Sequence, residues 1–166
     1  MKRLIIFLSL IISLYSQAQS GTGKKLFPAK PIGWVSDFEN DLTPIWIAYI
    51  DSTISGFEKH TSIEIGVVTL SLDSTMISSD KEWNALAMDL FNTWGIGEKD
   101  KNNGLLLLVS KKLRRVRIVT GEGIRNKLTD EEAKAIIETI MIPSFKKGLY
   151  GQAIDAGLQA IRKELQ

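Results

Sequence analysis

The sequence predicts an α/β fold, a three-layer α/β/α sandwich around a small mixed sheet that contains a β-hairpin. Three observations predict this fold. The alternating stretch at residues 63–70 is typical of a buried strand. Two further strand-like runs are separated only by Ser110–Leu113, as the strands of a hairpin are. Apolar residues at helical spacing precede and follow these strands, and stacking helices on a sheet buries both kinds of apolar surface.

The predicted elements follow in the order helix, strand, helix, strand, strand, helix, helix. Thr43 with Pro44 starts the first helix, which apolar residues at helical spacing extend to about Lys59. The alternating strand comes next. Ser79 with Glu82 then forms a capping box, which predicts a second helix of about 15 residues.

The second half of the chain supplies the hairpin and the last two helices. One hairpin strand begins at Leu105 and the other ends near Thr120. Thr129 and Glu132 form another capping box, and Pro143 is predicted to end the helix that follows. A last helix is predicted from Tyr150 to the end of the chain.

The first residues predict a signal peptide. Lys2 and Arg3 precede the apolar run Leu4–Leu14, and Ser16 and Ala18 form a small-x-small site, so cleavage is expected after Ala18. The apolar run is well short of the ~20 residues that a membrane-spanning helix needs. No membrane span is therefore expected after the signal is removed, and a periplasmic or secreted location is predicted.

The 166 residues fit a single domain after this signal. We expect a signal peptide at 1–18, a flexible polar lead-in at 19–32 and the folded domain at 33–166. The chain has no cysteine, which excludes disulfides. Loss of Lys2 and Arg3 leaves equal numbers of basic and acidic residues, so nucleic acid is not an expected partner.

Two loops rich in glycine and polar residues flank the predicted hairpin. One precedes its first strand and the other follows its second, so the hairpin brings both loops to the same edge of the sheet. Calcium and similar hard cations bind carboxylate, amide and backbone oxygens, and such loops can present them. Calcium is the expected ion, with magnesium or another divalent cation as the alternative. The candidate ligands in these loops are Asp100, Asn102, Asn103, Glu122 and Asp130.

Simpler explanations exist for the same residues. Asn103 with Gly104 is an ordinary turn into a strand, and Asp100 is also typical of a solvated loop tip. Asp130 lies in the first turn of a predicted helix, where the helix dipole stabilises an acid by roughly 0.3 to 1 kcal/mol. The segment is not an EF-hand, because its glycine comes one place early and Lys111 stands where the closing glutamate belongs.

Six segments are informative together: Gly33–Asp37, Phe57–Thr61, Glu64–Thr69, Trp94–Val109, Gly121–Asp130 and Ile142–Phe145. Their order and spacing resemble the TPM domain family of bacterial envelopes and the thylakoid lumen, also called TPM phosphatases. The resemblance implies an α/β domain that binds calcium or another divalent ion in these loops. It also adds Asp37, which matches the family's acidic position before the first helix; whether Asp37 reaches the loops depends on the direction of its strand. Arg125 stands at a family glutamate position, and Glu122 is a candidate on loop geometry alone.

Two classes of function fit this sequence. The first is a non-catalytic module, expected to be a monomer, in which calcium orders the loops for assembly or quality control of envelope proteins. The alternative is a metal-dependent acid phosphatase that hydrolyses phosphomonoesters, as the family's name implies. The absence of cysteine, the single His60 and the lack of a triad-like pattern favour the module. The basic hairpin is explained first as protection of an edge strand, and second as attraction for phosphate, anionic lipid or an acidic partner.

Overall fold

The computed structural model describes residues 25–166 and contains a four-stranded mixed sheet between two helical layers, which confirms the predicted fold class. The sheet order is β1-β2-β3-β4; the first three strands are parallel and the last is antiparallel to its neighbour. The predicted signal peptide and residues 19–24 of the lead-in lie outside the described residues. The strands are β1 (Val35–Asp37), β2 (Glu64–Thr69), β3 (Gly104–Ser110) and β4 (Arg115–Thr120).

The helices agree with the predicted order, although the helical region after the hairpin is more finely divided. It begins at Thr129, whose capping box with Glu132 is present, as is that of Ser79 with Glu82. The helices are α1 (Pro44–Thr61), α2 (Asp80–Trp94), α3 (Asp130–Ile136), a π-helical segment (Ile137–Met141), α4 (Ile142–Phe145) and α5 (Tyr150–Leu165). Among residues 25–166, no helix is both long and apolar enough to cross a membrane.

The prediction that Pro143 ends its helix was wrong. Pro143 lies in the first turn of α4, and helical structure continues to Phe145. Proline has no backbone N–H and usually breaks an α-helix for that reason. Here the π-helical segment changes the hydrogen-bond spacing just before the proline, so the chain accommodates it without leaving the helical conformation.

Each face of the sheet has its own apolar core. Leu105 and Leu107 on β3 pack in the core shared with α1, α3 and α5, whereas Leu106 and Leu108 pack in the core shared with α2. All four leucines are fully buried, as expected for a central strand covered on both faces. The sheet therefore positions one loop region at each of its two ends.

The described part of the lead-in, residues 25–32, contacts the domain. Residues 25–32 contain no helix or strand. Phe27 is nevertheless buried in the α2 core, and the indole N–H of Trp94 donates to the carbonyl of Pro28 at 2.9 Å. Apolar burial and this hydrogen bond attach the segment to α2.

Candidate functional site

The two predicted loops meet at one end of the sheet. We call residues 95–103 and 121–129 the joined loops. The N–H of Gly121 donates to Gly104 O at 2.8 Å, and the N–H of Gly123 donates to Asn102 O at 2.9 Å. The hairpin register, in which Leu105 is opposite Thr120, brings the start of β3 beside the end of β4. This confirms that the hairpin joins the two loops.

Glycine is required where the joined loops cross. A Cβ atom added to Gly121 would collide with the carbonyl oxygen of Asn102, and one added to Gly123 would collide with that of Lys101. These obstacles are backbone atoms, so a side chain could enter only if one loop moved. The loops thus cross at backbone contact, with carbonyl oxygens concentrated at the crossing.

Asn103 ties the first loop to the rest of the domain. Its side chain is 6% exposed; Oδ1 accepts from the Glu98 N–H at 2.8 Å, and Nδ2 donates to Ser62 O. The Glu64 carboxylate also connects this loop to β2, because it accepts a hydrogen bond from the Gly97 N–H at 2.9 Å. The side chain of the predicted ligand Asn103 therefore already has partners within the protein.

Three other predicted ligands surround the crossing with exposed side chains: Asp100, Asn102 and Glu122. Asn102 has a positive φ of 47°, which turns the chain at the crossing. The Glu122 carboxylate, 73% exposed, lies 2.7 Å from Arg125. Carboxylate, amide and carbonyl oxygens are suitable ligands for a hard cation such as calcium. The described residues do not, however, form a preassembled group of three or more acidic or histidine side chains around one metal position.

Asp37 lies at the opposite end of the sheet from the joined loops. β1 runs parallel to β2 and β3, and therefore antiparallel to β4, so Asp37 pairs with Thr69 at the carboxyl ends of the parallel strands. Its carboxylate accepts from the Leu42 N–H at 2.9 Å and from the Thr69 hydroxyl. The structure therefore does not place Asp37 with the loop residues. Its strand has the direction that keeps it away from them.

Asp130 begins α3 and faces Arg117 of β4. One carboxylate oxygen lies 3.7 Å from Arg117 Nη2, and the side chain borders a groove along β4. The explanation that Asp130 is a charge in the first turn of a helix agrees with this position. Asp130 follows the second joined loop in sequence, but its side chain is directed toward another part of the surface.

The carboxyl end of the sheet holds polar contacts that the sequence analysis did not single out. The Glu39 carboxylate accepts from the backbone N–H groups of Lys111 and Lys112 at 2.8 and 3.0 Å, and burial raises the pKa of Glu39. Asp41 lies 2.6 Å from the Lys111 ammonium, and this hydrogen bond raises the pKa of Lys111. The available sequence signal was the group of three acids at 37, 39 and 41, directly at and after the end of β1.

Comparison with known proteins places this geometry in a family. The model of the TPM domain matches residues 35–164. No curated protein matches the chain in sequence. The solution structure of the N-terminal domain of a P. gingivalis protein is similar, with 30% identity and a TM-score of 0.70; the match covers 80% of this chain and 81% of that one.

Two more distant solution structures share the fold. The BA42 protein of the psychrophilic bacterium Bizionia argentinensis has 24% identity and a TM-score of 0.61, over 77% of this chain and 83% of that one. The N-terminal domain of the Corynebacterium glutamicum protein cg2496 has 14% identity and a TM-score of 0.58, over 81% of each chain. With the family model matching nearly the whole described region, the chain belongs to the TPM domain family.

Proposed function

We propose that this TPM domain binds a divalent cation at the joined loops, with calcium as the preferred ion, and acts as an interaction module in the cell envelope. The supporting observation is the crossing of the two loops at backbone contact, with Asp100, Asn102 and Glu122 exposed around it. Calcium takes six to eight oxygens in a flexible arrangement, which such loops can complete by a local rearrangement. Magnesium demands a stricter octahedral geometry and is the second choice.

The role of the ion in this proposal is structural. A cation shared by the two loops would hold their crossing in one conformation, so that a protein partner meets an ordered surface. Assembly or quality control of envelope proteins is the proposed setting. It depends on the predicted signal peptide, which would deliver the domain to the periplasm or the exterior.

The experiment is a titration of ¹⁵N-labelled, metal-free protein with calcium and then with magnesium. We expect the amide signals of Gly97, Gly104, Gly121 and Gly123 to shift together, because they report on both joined loops. Asp100→Asn should weaken calcium binding by on the order of tenfold, since affinity depends on the number of charged ligands. Asp89→Asn, which changes an exposed carboxylate on α2, is the matched control and should leave the affinity unchanged.

Unmoved glycine signals at millimolar calcium and magnesium would refute the cation site. Equal affinity in the Asp100→Asn variant would remove Asp100 from the ligand set. Shifts confined to one loop would contradict an ion shared by both loops.

A metal-dependent acid phosphatase is the second candidate, because the matching family model carries phosphatase in its name. Such an enzyme would need an activated water or nucleophile beside the ion. His60 is the only histidine in the chain, and its Nδ1 lies 2.6 Å from the carbonyl of Gly56. Turnover of p-nitrophenyl phosphate that saturates, requires the ion and is lost in Asp100→Asn would favour the enzyme over the module.

A further inference from the structure

A long groove follows β4 on the side of the molecule away from β1. The first turns of α2 form one wall and α3 with the π-helical segment forms the other, while the hairpin turn lies at one end. Its volume is about 1890 Å³. Sites for small molecules usually measure about 300 to 1,000 Å³, so the groove has room for a ligand of that size or for part of a larger one.

The groove contains hydrogen-bond donors that have no partner among the described residues. Trp83 is only 2% exposed, yet its indole Nε1 is unpaired, and Arg117 Nε is likewise buried and unpaired. Arg115 Nη1 lies 2.8 Å from Asp80 but without hydrogen-bond geometry. All three residues line the groove. Buried donors normally have partners, so these three groups are available to an acceptor that a bound ligand brings.

The fold places these donors on one side of the sheet. Arg115 and Arg117 lie two positions apart on β4, and their cross-strand partners Ser110 and Leu108 show that both face α2. Trp83 lies one turn after Asp80 on the α2 wall, and Asp80 contacts Arg115. Arg115, Arg117 and Trp83 therefore all lie on the α2 side of β4 and line the same groove.

We propose that Arg115, Arg117 and Trp83 form a binding site for an oxyanion, a carboxylate or phosphate group carried by a ligand in the groove. Guanidinium groups form paired, charge-assisted hydrogen bonds with both kinds of oxyanion. Asp80 lies 2.8 Å from Arg115, and Asp130 lies 3.7 Å from Arg117. A bound oxyanion replaces the long contact between Arg117 and Asp130 with a shorter one.

The surrounding charges favour a single oxyanion over a polyanion. Basic residues of the hairpin and α4 region are interspersed along the groove with acids on α2, α3 and the β1–α1 connection. A highly acidic ligand would meet these carboxylates, whereas one carboxylate or phosphate meets only the local donors. At the hairpin end of the groove, Asp41 Oδ2 is buried and has no hydrogen-bond partner among the described residues. A ligand that also carries a hydrogen-bond donor would satisfy this oxygen while its oxyanion contacts the arginines.

The indole N–H of Trp83 provides a direct test. ¹⁵N-labelled, metal-free protein is titrated with inorganic phosphate, with succinate and with sodium chloride at matched ionic strength. Phosphate or succinate should move the Trp83 indole signal downfield at low millimolar concentration. The indole signals of Trp34 and Trp94 should stay in place, since those groups already donate to Glu58 and Pro28. The stronger of the two anions identifies the ligand as a phosphate or a carboxylate.

Arg117→Gln should weaken the binding of the stronger anion by about tenfold or more, because it removes a charged donor. Lys163→Gln, which changes an exposed basic residue near the end of α5 and away from the groove, is the matched control and should bind like the wild type. Trp83→Phe keeps an aromatic ring and removes only the N–H donor, so it tests the site if Arg117→Gln fails to fold. Its binding is followed through the Arg117 amide and should also be weaker.

An unmoved Trp83 indole signal at tens of millimolar phosphate and succinate would overturn the proposal. Equal shifts with sodium chloride would also overturn it, because they would report ionic strength. The site is independent of the cation at the joined loops, and the metal-free titration keeps the two proposals separate.

Discussion

Asn103 illustrates how far a residue's type predicts its role. An amide before a glycine at the start of a strand was predicted as a turn residue or a cation ligand. The structure uses both ends of the amide internally, to hold Glu98 N–H and Ser62 O. Glu98 and Ser62 lie far apart from each other in the sequence, so a local pattern could not assign both of them to Asn103. The side chain ties the loop before β3 to the end of α1.

Replacing Asn103 with alanine should destabilise the domain by about 2 to 4 kcal/mol, because it leaves two polar backbone groups without their partner. Urea denaturation measures the free energy of unfolding. Asn92→Ala removes an exposed amide from α2 and is the control, with an expected change within about 0.5 kcal/mol. An equally small effect of Asn103→Ala would show that water or neighbouring groups replace the lost hydrogen bonds to the Glu98 N–H and the Ser62 carbonyl.

The acidic residues also show that residue type alone does not determine a residue's role. Asp100 and Asp130 were predicted as ligands from their positions in the loops beside the hairpin, and Asp37 from the resemblance to the family. In the structure Asp37 caps backbone and hydroxyl groups near Thr69, Asp130 faces Arg117, and only Asp100 extends from the joined loops. Which acids share a site depends on strand direction and helix position, neither of which is a property of the residue itself.

At the scale of elements, local signals predicted most boundaries. Both capping boxes start helices where the sequence placed them, because the bonds that define them join residues three positions apart. The exception was Pro143, where the π-helical segment allows the helix to continue. The π-helical segment packs against α5, so the departure from the predicted boundary accompanies a contact between residues that are distant in sequence.

The capping box of α2 should give a measurable pH dependence. Hydrogen bonds from Ser78 lower the pKa of Glu82 below its usual 4.5. Its contribution to stability is therefore present above pH 4.5 and is lost as the pH falls through the lowered pKa of the folded state. Glu82→Gln should show a shallower loss of stability over that acidic range, measured by urea denaturation at several pH values.

A carboxyl-carbon NMR titration of Glu82 provides the independent check. Its midpoint should lie below 4.5 in the folded protein. A midpoint at the usual value, or an unchanged acid slope in the Glu82→Gln variant, would contradict the role of the cap.

At the scale of the whole molecule, the arrangement of the two crossovers is unusual. β1, β2 and β3 step across the sheet in one direction, while α1 and α2 lie on opposite faces. The two crossovers therefore have opposite hands, although nearly all parallel crossovers are right-handed. The handedness rule would have placed both helices on one face. Here the packing of α2 on the second face produces the third layer of the sandwich.

The docking of α5 on α1 offers a test at this scale. A Cβ atom added to Gly151 in α5 would collide with the Trp46 ring of α1, so Gly151→Ala should destabilise the domain by about 1 to 3 kcal/mol through overpacking. Gly56→Ala, in the middle of α1 with no atom within 4 Å of the new Cβ, should stabilise it by roughly 0.5 to 1 kcal/mol. Urea denaturation compares the variants. Equal effects would show that the ring moves aside without cost.

The sequence by itself determined most of the elements and their order, the hairpin and the meeting of the two loops, because capping, periodicity and a short turn are set by neighbouring residues. The predicted order did not include β1. Family membership could also be inferred, from the order of the segments. Only the tertiary structure decided that Asp37 lies at the far end of the sheet, that Asn103 is bonded internally and that Trp83 and Arg117 face one groove. These features depend on contacts between residues distant in sequence, which local patterns do not specify.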